Sequence, residues 1–144
     1  MTFLSDPVLA PAHGSHNLAQ LKEPLIYSDP DIGTLTVQPG ALTDGASIPR
    51  LLWTLVGSPM ADWRVLRAAI LHDQLYRSIG INGQLSRAAC DKIFRRALRA
   101  AWVPTYKTWL YWLGVRLGGW IGWMRYASDP HESARQLAYI TRGD

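Results

Sequence analysis

Two capped, helix-length runs separated by a glycine-rich turn limit the folds open to this chain more than any other feature. Asp62 stands at an N-cap position ahead of Val65, Leu66, Ala69, Ile70 and Leu75, apolar residues at helical spacing out to about Tyr76. Gly80, Asn82 and Gly83 then open a turn, and Ser86 caps a second run in which Ala88, Ala89, Ile93, Phe94, Ala97 and Leu98 form one stripe. A short connection folds two such runs into an antiparallel helix pair. Pro104 permits a third helix from about Thr105.

Upstream the pattern is that of strands. Leu25-Ile26-Tyr27 and Gly33-Thr34-Leu35-Thr36-Val37-Gln38 read as strands joined at Asp29-Pro30-Asp31, and Pro39-Gly40 ends the second. The expected fold class is α+β: a small N-terminal β hairpin or sheet, then the antiparallel helix pair and an aromatic C-terminal helix. With 144 residues and 48% hydrophobic content, the chain can supply a core for a single compact domain over 1–144, with flexible ends expected at 1–20 and 129–144.

The third run, from Tyr106 to Tyr126, is nearly apolar and carries Trp109, Trp112, Trp120 and Trp123. Its length would reach across a bilayer. Arg116 near its middle opposes a lipid-facing span, so a transmembrane reading is disfavoured against a domain-packed helix or an interfacial, partner-binding one. Gly114, Gly118 and Gly122 permit close helix packing.

Charge is segregated along the chain. Two basic against five acidic residues give −3 over residues 1–61, whereas nine basic against three acidic give +6 over 62–107. Such a basic region suits a solvated helix surface, a phosphate, an anionic bilayer or an acidic partner. No zinc-finger or recognition-helix spacing makes nucleic acid a specific expectation. A single cysteine, Cys90, excludes an intramolecular disulfide and reads as a packing thiol. The first residues lack the basic flank and apolar run of a signal peptide, which leaves virion or host cytoplasm as the expected location.

The residues that suggest chemistry sit on the helix pair. His72 and Tyr76 lie four apart and share a face, while Asp73 projects about 100° away. Asp91, on the second helix, can fix the tautomer of His72, leaving the other ring nitrogen to take a proton from water. Tyr76 can donate to Asp91. Asp73 is then available to a hard cation: calcium would polarise an ester carbonyl, with Asp44, Gly45 and neighbouring carbonyls as further ligands. The Thr43-to-Arg50 loop can instead present amides to an anion, or use Asp44 and Ser47 only to cap local backbone. The alternative for the helices is structural: His72 in an interhelical hydrogen bond, Asp73 paired with an arginine, Tyr76 packed with its hydroxyl at the edge. His13, His16 and His131 lie in weakly patterned segments.

Thr43-Asp44-Gly45-Ala46-Ser47-Ile48-Pro49-Arg50, His72-Asp73-Gln74-Leu75-Tyr76 and Asp91 together resemble an uncharacterised family of tailed bacteriophages and prophages, of the DUF1353 type, over roughly residues 20–120. The helix pair also resembles phospholipase A2-like proteins, including the domain carried in parvovirus capsids. That resemblance implies His72 as base, Asp73 as calcium ligand and Tyr76 beside the active-site acid, Asp91. The viral Ala-Asp-x-x-Phe pattern is interrupted here by Cys90, though Asp91 and Phe94 keep their spacing. The glycine-rich calcium loop with its tyrosine, and the disulfides of secreted phospholipases, have no counterpart.

Two functional expectations follow. One is a calcium-assisted phospholipid or ester hydrolase of phage or prophage origin that meets a phospholipid interface. The other is a non-enzymatic tail-associated or virion assembly protein whose partners are phage structural proteins. A host-directed accessory protein released at lysis is a third.

Overall fold

The computed structural model describes residues 1–15, 18–43, 50–58 and 61–143, with backbone alone at 50–52. Its α+β architecture places antiparallel strands ahead of a helical layer. β4 (Leu25–Asp29) and β5 (Gly33–Val37) form the expected hairpin, with Tyr27 opposite Leu35 and Leu25 opposite Val37. Alternation turns Leu25, Tyr27, Leu35 and Val37 into the core. At the turn, Asp29 accepts from the Asp31 amide (2.9 Å), and Arg96 binds both Asp29 and Asp31, fastening the hairpin to the helices.

Five further strands complete two sheets. β1 (Thr2–Phe3) pairs with β4, and β7 (Ile140–Gly143) pairs with β5, giving the order β1-β4-β5-β7. β2 (Leu9–Pro11), β3 (Ala19–Leu21) and β6 (Leu42–Thr43) make a second sheet in the order β2-β3-β6. Both ends, expected from sequence to be flexible, contain strands paired to the sheets: β1 and β2 near the N-terminus and β7 near the C-terminus.

α1 (Arg50–Val56) precedes α2 (Trp63–Arg77), which starts at the expected cap: Asp62 accepts from the Arg64 amide. α2 is enclosed on nearly every side, with His72, Asp73, Gln74 and Arg77 buried along with its apolar residues. It is a central helix rather than one with a single buried stripe. α4 (Arg87–Ala100), capped by Ser86, and α5 (Thr105–Ala127) pack against it.

The turn between α2 and α4 differs from an ordinary glycine loop. Residues Ile79–Gly83 (α3) form a left-handed turn in which φ is positive at Ile79 (44°), Gly80 (57°), Ile81 (51°), Asn82 (56°) and Gly83 (85°). Two β-branched residues in this region mark strain. Ser78 holds the turn: its hydroxyl donates to the Gln74 carbonyl (2.8 Å) and accepts from the Ile81 amide (3.2 Å).

α4 ends in a Schellman motif, Val103 N donating to Leu98 O and Trp102 N to Arg99 O, both at 3.0 Å. The left-handed residue at its C′ position is Trp102 (φ 63°), where glycine is favoured, and its side chain is 87% exposed. α5 buries Thr108, Tyr111, Gly114, Val115 and Gly119. Its outward side exposes Tyr106, Leu110, Leu113, Leu117, Trp120 and Met124, spaced alternately four and three apart. α6 (Pro130–Gln136) and a 3-10 turn (Leu137–Tyr139) return the chain to β7. Among the described residues no helix is long and apolar enough to cross a membrane.

Candidate functional site

His72 and Tyr76, one turn apart on α2, both reach Asp91 on α4. His72 Nε2 lies 2.8 Å from Asp91 Oδ1, and the Tyr76 hydroxyl donates to the same oxygen at 2.6 Å. Both rings are held by neighbours: the imidazole lies 4.3 Å from the Tyr76 ring and 4.7 Å from Phe94, between centroids, and Trp123 meets Tyr76 edge-on at 5.2 Å. His72 and Asp91 have no solvent exposure.

The second Asp91 oxygen is taken by cations that sequence reasoning did not assign to the site. Arg116 Nη1 donates to Oδ2 at 2.6 Å, and Arg87 Nη1, one turn before Asp91, lies 3.5 Å away. The signal for Arg116 was its position as a lone charge inside an apolar run. It turns inward, which satisfies both Arg116 and the buried carboxylate. Gly119 completes the fit, because a Cβ there would lie 2.7 Å from the Tyr76 hydroxyl. This close approach falls outside the Gly114, Gly118, Gly122 series read from sequence.

With Asp91 ionised and accepting from Nε2, the tautomer that fits a neutral imidazole has its proton on that nitrogen and its lone pair on Nδ1. Nδ1 is buried and has no hydrogen-bond partner among the described residues. A buried polar atom left open beside a network satisfied elsewhere is uncommon.

Burial pulls the Asp91 carboxyl upward, but hydrogen bonds from His72, Tyr76 and Arg116 outweigh it and hold the group below its usual range. Ionised Asp91 therefore stabilises the fold fully above its unfolded value of about pH 4, and the contribution is lost as pH falls below that toward the lowered folded value. Acid titration followed by tryptophan fluorescence should show an unfolding limb below about pH 4 that weakens in Asp91→Asn. An unchanged limb in the variant would remove Asp91 from the acid response. The Tyr76 phenol is pushed well above its usual range by burial and by Asp91, so it stays a donor. Burial, then the Asp91 charge, pushes the Cys90 thiol up to about 12, in keeping with a packing residue.

Asp73 points elsewhere. Its Oδ1 pairs with Arg77 Nε at 3.2 Å, one turn on, and Arg77 lies over the Tyr126 ring at 5.5 Å. Asp44 and Gly45, the other expected metal ligands, and Ser47 lie outside the described residues. β6 itself lies beside α2, where Gln74 Nε2 donates to the Leu42 carbonyl at 2.9 Å. Among the described residues no three acidic, histidine or cysteine side chains converge as a metal site. His13 and His131 are exposed, and His16 lies outside the described residues.

Most of the residues that build this network fall within a family match. A family described as "Protein of unknown function (DUF1353)" covers residues 19–115, from β3 to the middle of α5. This chain belongs to the DUF1353 family. A relative from Sinorhizobium fredii, "Uncharacterized protein y4jT", is 32% identical over 104 residues, covering 70% of this chain and 29% of the relative. The chain thus spans under a third of that protein's length. No solved structure matches it. Within the DUF1353 match fall His72, Tyr76, Arg87 and Asp91, while Arg116 and Gly119 lie just beyond it.

Proposed function

We propose that this DUF1353 chain is a phage- or prophage-derived hydrolase of phospholipid or ester bonds that uses His72 and Asp91. The observation carrying the reading is the open Nδ1 of His72, on the far side of a ring whose other nitrogen is tied to a buried carboxylate. An imidazole held in one tautomer, with its lone pair unspent, is the arrangement a general base requires.

In the proposed reaction Nδ1 takes a proton from water as the water oxygen bonds to the ester carbonyl carbon. When the tetrahedral adduct collapses, the ester C–O bond breaks and the imidazolium returns the proton to the leaving alkoxide, giving an acid and an alcohol. Asp91 keeps the ring oriented and offsets the imidazolium charge; Tyr76 and Arg116 keep Asp91 ionised and in place. Because His72 has no exposure, water must enter past the side chains that cover the ring.

Calcium belongs to this proposal through Asp73, Asp44 and Gly45. The described residues do not fit a calcium site by themselves, since Asp73 is paired with Arg77 and such an ion takes six to eight oxygens. No step above is assigned to it.

The test is lysophospholipid release from mixed anionic and neutral vesicles, read by mass spectrometry with calcium or chelator. His72→Gln keeps an amide donor toward Asp91 and lacks the base, so release should fall by about 10²–10⁴-fold with the fold intact. No release from folded wild-type protein in confirmed contact with vesicles counts against the enzyme.

The exposed side of α5 favours a second reading, a tail-associated or virion assembly protein in which His72 and Asp91 serve only to join helices. Under it the protein is found at fixed stoichiometry in purified particles, and changes to α5 impair assembly more than His72→Gln does.

A further inference from the structure

The outward side of α5 is broader than a coiled-coil seam. Trp109 and Ile121 flank the four-three series, and at 3.6 residues per turn the apolar arc spans about 120° along a helix about 34 Å long. Nothing in α5 is acidic: its three charged residues are Lys107, Arg116 and Arg125. Lys107 and Arg125 fall on one margin of the arc. On the other, Arg95 of α4 lies over Trp109 (4.6 Å to the ring centroid). The exposed Arg99 and Lys92 extend the positive charge along α4.

Trp102 adds an independent observation. It adopts a left-handed conformation suited to glycine and presents an 87% exposed indole just before the first turn of α5. Backbone strain kept to hold a large aromatic in solvent points to use of that side chain outside the fold.

We infer that the outward face of α5, with Trp102 at its N-terminal end, docks on an anionic lipid bilayer with the helix axis parallel to the surface. An amphipathic helix with tryptophans on one side and basic residues at its margins seats the apolar side at the headgroup boundary, while the basic side chains reach anionic phosphates. A second copy of the same chain would bring two basic margins together, so charge favours the bilayer over self-association. The inference deepens the phospholipid reading by naming the surface from which such a substrate would be taken.

Binding is measured without turnover, by flotation of the full chain with phosphatidylglycerol-containing vesicles against vesicles of phosphatidylcholine alone. Wild type should float with the former, and Leu117→Glu should bind more than about tenfold more weakly. Trp102→Gly should bind several-fold more weakly while melting no earlier than wild type, since glycine suits that backbone. His72→Gln should float as wild type does, and a water-soluble short-chain ester reads hydrolysis apart from docking. Absence of flotation, equal flotation with neutral vesicles, or a dimer in sedimentation that Leu117→Glu dissociates without any vesicle binding would each overturn the inference.

Discussion

Asp91→Ala is expected to destabilise the fold by about 3–5 kcal/mol, because it removes one member of a buried charged network and strands the others. Asp91 accepts from His72, Tyr76 and Arg116, and it joins α2, α4 and α5 at one point. Arg116 is partly exposed and can turn to water, so the loss falls mainly on the enclosed His72 and Tyr76 and should lie at the lower end of that range. Asp91→Asn keeps an acceptor toward both rings and should cost only about 1–2 kcal/mol. Denaturant titration of both variants separates the cases. An alanine variant within experimental error of wild type would mean that packing alone holds the three helices together.

The second large effect is expected at Gly80, away from the site. A Cβ at this position would lie 2.1 Å from the Leu85 carbonyl oxygen, which is backbone and cannot swing aside. The residue also has a φ of 57°. For alanine the left-handed conformation costs about 1–2 kcal/mol. The forced displacement adds about 1–3 kcal/mol. Gly83→Ala is the internal comparison: its φ is 85°, but a Cβ there meets nothing within 4 Å, so only the conformational part applies. Thermal melts in which Gly80→Ala is no worse than Gly83→Ala would show that the turn relaxes around the added carbon.

The helix pair was legible because its signals are local. Asp62 and Ser86 cap the helices they were expected to cap, and apolar residues at helical spacing carry α2 and α4 between caps and turn. The β4–β5 hairpin was legible for the same reason. What escaped depends on distant partners. β7 has one buried residue, Ile140, and takes its order from β5 across the chain, so it carries little signal of its own. Ile79 and Ile81 in a left-handed turn run against their intrinsic preference, and no propensity argument reaches them.

The candidate site divides along the same line. Helical spacing put His72 and Tyr76 on one face, and the antiparallel pairing brought Asp91 opposite them. That Arg116 would close the network from a third helix depended on tertiary packing, as did the Asp73–Arg77 pair, which the structural alternative allowed without choosing a partner.

The pairing of β7 with β5 also bears on the order in which the fold can be completed. Val37 lies opposite Ile140, so the outer edge of the hairpin stays uncovered until the whole helical layer has been synthesised. During that interval Thr34–Val37 offers unpaired amides and carbonyls on a strand with an apolar side, a template for pairing with another nascent chain. A fragment stopping short of residue 140 keeps the helices and their buried network yet retains that open edge. Its failure would appear as aggregation that grows with concentration, while its helical content stays near that of the longer chain.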